Sequence, residues 1–199
     1  MSKVTENFHL YLKATESAAI AAAKLRGNGD GKAADKVATE AMRKVLQNSE
    51  VHTRVVIGEG ERDDAPMLYI GEEMGNPESD LKIDIAVDPL ECTNHCAKDL
   101  PDALSVLAAA PRGALLNAPD TYMDKLCGSS KLIGHVALNN SIEDNLLMAS
   151  KVLQKNISEL KIIVMDRDRH IDLISKMKDL GVEPILIGDG DVSGGLKAA

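Results

Sequence analysis

The residues in this chain best suited to chemistry are the oxygen donors in the stretch Asp84 to Thr93, which reads DIAVDPLECT. Asp88, Glu91 and Thr93 place two carboxylates and a hydroxyl at the end of an apolar alternation that suits a buried strand. Pro89 fixes φ and has no N–H to donate, so the strand is expected to stop there and turn, letting Asp88 and Glu91 converge. Hard divalent cations such as magnesium or manganese take oxygen ligands, and a carboxylate pair across a turn supplies them. A second group of acids follows another β-branched run: Val55 to Ile57 leads into a Gly-rich turn with Glu59, Glu61, Asp63 and Asp64. A third closes the chain's last strand at Asp189 and Asp191. Ligands of open α/β sheets sit outside the carboxyl ends of strands, so acids gathered at those ends point to a site for several metal ions.

The elements that must position these groups follow from periodicity. Helix formers with apolar residues at helical spacing run from about Thr5 to Leu25, closed by Gly27 and Gly29. A second helix covers AADKVATEAMRKVLQ, with Val37, Met42 and Leu46 near one face. Ala103 to Ala110 reads as a strand or a buried segment, and periodicity alone does not separate the two. Ser141, with Asp144 three residues on, caps a helix running to about Gln154. KIIVMD, HIDLISKMKDL and EPILIGDGD then form a βαβ unit with parallel strands, which makes the chain an α/β protein.

Composition narrows the partners. A formal charge of −8 repels nucleic acid and anionic membrane surfaces, and with no Trp and only Phe8, Tyr11, Tyr69 and Tyr122 there is no platform for stacking bases. No segment reaches the roughly 18 uninterrupted apolar residues of a membrane span, and MSKVTENFHL lacks the apolar core of a signal peptide. Three cysteines without framework spacing fit reduced thiols, so a cytoplasmic protein is expected. Cys92, His95 and Cys96 offer soft ligands, but a zinc site needs a fourth from distant Cys127 or His135.

The segments TESAAIAAAKLRGNGD, VVIGEGERDDAPMLYIGEEMG, DIAVDPLECT, LLNAPDTYMDKL, MDRDRH and IGDGDVSG, taken in order, resemble the class II (GlpX-type) fructose-1,6-bisphosphatases. These belong to the lithium-sensitive, metal-dependent sugar phosphatases. The resemblance implies a layered α-β-α-β-α sugar-phosphatase fold, here lacking much of its C-terminal part. It implies an N-terminal metal-binding domain over residues 1–155 and the start of a second α/β domain over 156–199. It also implies hydrolysis of the 1-phosphate of fructose 1,6-bisphosphate with Mn2+ or Mg2+, in gluconeogenesis and glycerol metabolism, by a homo-oligomer. Sedoheptulose 1,7-bisphosphate or an inositol phosphate is the alternative substrate, and a non-catalytic remnant that only binds is the alternative class.

Carried onto this sequence, the resemblance implies metal ligation by Asp35, Glu59, Asp88 and Glu91. Asp63, with Thr93, is implied to activate the attacking water. Substrate contacts are implied for Glu91, Cys92, Thr93, Tyr122, Arg167, Asp168, Arg169, Asp189, Gly190 and Asp191. Two positions depart from the pattern: Cys92 stands where the family has Gly, and the family's Gly-Asp-Lys reads Asp30, Gly31, Lys32 here. If position 92 requires φ > 0, a non-Gly residue there costs on the order of 1 kcal/mol.

Overall fold

The computed structural model describes residues 3–58, 68–118 and 122–199. Glu59, Glu61, Asp63 and Asp64 lie outside the described residues, so the expectations placed on them have no structural counterpart. The chain divides into two compact units, Met1–Thr121 and Tyr122–Ala199.

The first unit opens with one helical turn, α1 (Lys3–Glu6), and two long helices, α2 (Phe8–Ala23) and α3 (Gly31–Gln47). α2 buries Tyr11, Ala14, Ala18 and Ala22, one residue per turn, against Ala34, Ala38, Met42 and Leu46 of α3. Alanines at this spacing let the two backbones approach closely, and the larger Met42 and Leu46 fill the space towards the sheet. The expected apolar face of α3 is thus rotated slightly: Val37 is half-buried, and Ala34, Ala38 and Thr39 take the buried positions. Asp30 caps α3, its side chain accepting a hydrogen bond from Ala33 N at 2.9 Å.

The sheet has the order β2-β1-β3-β4, built from β1 (His52–Ile57), β2 (Glu73–Met74), β3 (Lys82–Glu91) and, after a short helix α4 (Thr93–Ala97), β4 (Leu104–Pro111). β1 and β3 run parallel, and β2 and β4 join antiparallel at either side. The ambiguous segment from Ala103 is therefore a strand. β3 is the central strand, and Ile83, Ile85 and Val87 project into the core that α2 and α3 cover. Asp84, on the alternate side, is 1% exposed and accepts both Arg54 Nε (3.0 Å) and Arg54 Nη2 (2.9 Å), with Gly113 N at 2.6 Å. Arg112 Nε lies 3.1 Å from the same carboxylate, so β1, β3 and the turn that follows β4 are joined through one buried charge.

The second unit holds α5 (Ile142–Leu153), β5 (Ile163–Met165), α6 (Ile171–Asp179), β6 (Ile185–Ile187) and α7 (Asp191–Ala198). β5 and β6 pair in parallel around α6, the expected βαβ unit. Ser141 Oγ accepts from Asp144 N at 3.0 Å and donates to Asp144 Oδ2 at 2.7 Å, which fixes the start of α5. The compact units divide at residue 121, whereas the resemblance implies a domain boundary at 155. Leu146 and Ala149 of α5 pack with Leu160, Val164, Met177 and Val182, so this helix shares its core with the βαβ unit rather than with the sheet of β1–β4. Both units are α/β, as expected.

Candidate active site

The candidate site grows from the end of β3. The strand does not stop at Pro89 as expected; it continues to Glu91, which pairs with Leu104 across a register shift after Asp88. An irregularity at this point accommodates a residue that cannot donate to the ladder. Asp88 Oδ1 accepts from Leu90 N at 3.1 Å, which folds the strand's last residues back beside the carboxylate. Glu91 is buried, with 9% of its surface exposed.

Cys92 then adopts a left-handed conformation, φ 67° and ψ 54°, and reverses the chain into α4, whose first residue is Thr93. Two N–H groups of the loop between α2 and α3 clip it to α4: Gly27 N donates to Cys96 O and Gly29 N to Ala97 O, both at 2.9 Å. The first turns of α3 thereby lie against Thr93. Gly31 and Asp35 are four residues apart on α3 and share a face. Gly31 meets Thr93, and Asp35 meets the charge of Asp88. Burial first, and the Asp88 carboxylate second, push the Asp35 carboxyl above its ordinary range. Asp35 Oδ1 is buried and accepts no hydrogen bond from the described residues.

Hard oxygen donors, mutual repulsion between two carboxylates and a buried oxygen without a donor are what a divalent cation would relieve. Asp35, Asp88 and Glu91 fit such an ion on these grounds. Among the described residues no three His, Cys, Asp or Glu side chains converge closely enough to hold a metal by themselves. The expected fourth ligand, Glu59, and the expected base, Asp63, lie outside those residues. The soft-ligand alternative is not assembled: His95 Nδ1 is 2.8 Å from Pro101 O, and Cys96 Sγ donates to Ala22 O at 3.6 Å. Burial also pushes the Cys96 thiol up, and the charge of Arg26, which favours the thiolate, does not offset it.

The substrate residues expected in the second unit occupy two places. Arg169 lies over the Tyr122 ring, 4.3 Å from its centroid, with Tyr122 84% exposed. Asp168 opens the turn Asp168–His170 beside it, and Arg167 Nη1 donates to Asp166 O at 2.9 Å. Asp189 Oδ1 accepts from Gly190 N at 3.0 Å, Gly190 is left-handed at φ 89°, and Asp191 pairs with Lys125 at 2.6 Å. Sequence reasoning missed the approach of Gly31 to Thr93. Its only local signal was the Gly itself, in a loop already rich in glycine.

A family model described as bacterial fructose-1,6-bisphosphatase, glpX-encoded, matches residues 6–199. Three similar curated proteins carry the name D-fructose 1,6-bisphosphatase class 2/sedoheptulose 1,7-bisphosphatase. That of Thermosynechococcus vestitus is 47% identical over 199 residues, covering 94% of this chain and 57% of the relative. That of a Synechocystis species is 45% identical over 199 residues, covering 94% and 58%. That of a Nostoc species is 47% identical over 192 residues, covering 91% and 56%. The chain thus spans a little over half the length of these relatives. The profile match and the near-complete coverage of the present sequence agree: the chain belongs to the family of glpX-encoded bacterial fructose-1,6-bisphosphatases.

Proposed function

We propose that this chain carries the metal-binding part of a sugar-bisphosphate 1-phosphatase acting on fructose 1,6-bisphosphate in gluconeogenesis. The observation that carries the reading is the placement of Asp35 beside Asp88, with Glu91 and Thr93 following at the turn from β3 into α4. Sedoheptulose 1,7-bisphosphate is the second substrate, favoured by the name its relatives bear. A cytoplasmic homo-oligomer is the form proposed. Among the described residues no helix is long and apolar enough to cross a membrane.

Asp35, Asp88 and Glu91, joined by Glu59, would hold Mn2+ or Mg2+. Such an ion, when bound, neutralises phosphate charge and lowers the pKa of a water. The chain's own residues do the rest. Glu91 and Asp88 fix the end of β3, and the left-handed Cys92 aims α4 so that Thr93 Oγ1 is presented at the helix start. A threonine hydroxyl is far too weakly basic to deprotonate water alone, so Thr93 orients the water's proton and passes it to Asp63. Within the second unit, Tyr122 and Arg169 form a stacked pair whose guanidinium suits an anionic group.

The test is phosphate release from fructose 1,6-bisphosphate with Mn2+. Activity is expected, and Asp88→Ala should lower it by at least about a hundredfold, the scale of losing one oriented charge at the reacting group. Release at an unchanged rate in Asp88→Ala refutes the assignment. One observation favours a second reading, that the chain binds sugar phosphate without turnover: the side chain of Cys92 is held at φ 67° between Glu91 and Thr93. Calorimetric binding of the bisphosphate with no release identifies that case.

A further inference from the structure

We infer that Gly31 is a positioning residue for Thr93, and that Gly31 and Cys92 act on Thr93 as a coupled pair. A Cβ added at Gly31 would sit 3.2 Å from Thr93 O and 3.3 Å from Thr93 Cβ. Those separations require Thr93 to move by a few tenths of an ångström. The backbone dihedrals of Gly31 are helical, so the absent side chain serves the approach and not the conformation.

Whether Thr93 can give way depends on its other neighbour. Cys92 is 6% exposed and left-handed, and the carbonyl of Cys92 accepts His95 N at 2.9 Å and Cys96 N at 3.2 Å. A buried side chain on a strained hinge, tied by two helix hydrogen bonds, leaves little freedom to the next residue. Glycine at that hinge adopts the same dihedrals without strain and adjusts them freely. Thr93 is therefore bracketed by the first turn of α3 on one side and by Cys92 on the other, and the clips from Gly27 and Gly29 to α4 hold the bracket closed. This inference rests on the proposed role of Thr93 for its catalytic consequence, and on contacts alone for its energetic one.

The experiment is a double-mutant cycle with Gly31→Ala, Cys92→Gly and the double variant of the full chain, read first by urea unfolding. Gly31→Ala is expected to raise the unfolding equilibrium constant about fivefold in the parent and less than about twofold in the Cys92→Gly background. An equal change in both backgrounds overturns the inference. Failure of Gly31→Ala to fold in the parent, with folding regained in the Cys92→Gly background, expresses the same coupling; failure in both backgrounds overturns it.

The second readout is turnover with Mn2+ and fructose 1,6-bisphosphate. Gly31→Ala should lower kcat about fivefold with KM nearly unchanged, as a small misplacement of a reacting group does, and Cys92→Gly should restore it. A rise in KM at constant kcat overturns the positioning role. Coupling in unfolding with no turnover in any of the four proteins leaves the bracket standing and refutes the phosphatase reading alone.

Discussion

At the scale of single residues, Cys92 is the position where sequence and conformation are in conflict. Left-handed dihedrals in a residue with a Cβ cost about 1–2 kcal/mol, and replacement by glycine recovers part of that against a larger entropy loss on folding. Cys92→Gly should stabilise the chain by about 1 kcal/mol, visible as a higher urea midpoint at an unchanged slope. A lower midpoint would mean that the buried thiol packs better than its backbone suffers. The sequence made this legible only conditionally: a cysteine between Glu91 and Thr93 is visible in it, but the sign of φ depends on the direction of α4. Asp35 illustrates the complementary limit. Its membership in the site came from resemblance. Its burial and its proximity to Asp88 are set by the packing of α3 against β3 and α4, which no local pattern encodes.

At the scale of elements, the far end of β3 is tied by Asp84, and here the sequence showed only an acid within an apolar alternation. β1, β3 and the turn after β4 must meet before Arg54 and Arg112 can reach it. Burial pushes the Asp84 carboxyl up, but hydrogen bonds from Arg54 and Gly113 N and the charges of both arginines outweigh it, leaving it below its ordinary value. A depressed carboxyl contributes stability that is fully present above its unfolded value of 3.8 and is lost as pH falls through the lower folded one. Asp84→Ala should therefore cost about 3–5 kcal/mol at neutral pH, since it leaves a guanidinium pair without its buried partner. The gap between the parent and Asp84→Asn should narrow as pH drops below 3.8; a gap independent of pH would contradict the charge-based account. Pro89 is the other lesson at this scale. A missing N–H predicted a strand end, yet a register shift absorbs it and carries β3 two residues further to Glu91.

At the scale of the whole molecule, the α/β class was legible from alternating periodicities, and the βαβ unit was read almost residue by residue, because its contacts are local in sequence. The division into compact units after Thr121 has no such local signal. The core shared by α5 and α6 brings together Leu146, Ala149 and Met177, and only tertiary packing decides which unit α5 joins. Met177 is 3% exposed in that core, so Met177→Ala should cost about 2–5 kcal/mol. Hydrogen exchange should then accelerate over Ile163–Met165 and Ile185–Ile187 while the amides of Lys82–Glu91 keep their protection. Acceleration across both units alike would show that they do not keep separate cores.

The central claim is that Asp35 and Asp88 are paired in order to hold a divalent cation. Its most direct test is titration of the full chain with Mn2+, followed by electron paramagnetic resonance of the free ion, for the parent and for Asp88→Asn. The parent should deplete free Mn2+ with saturation, and Asp88→Asn should weaken binding by at least about tenfold, as the loss of one anionic ligand from a cluster of hard donors requires. Binding of equal strength in the two proteins would contradict the account.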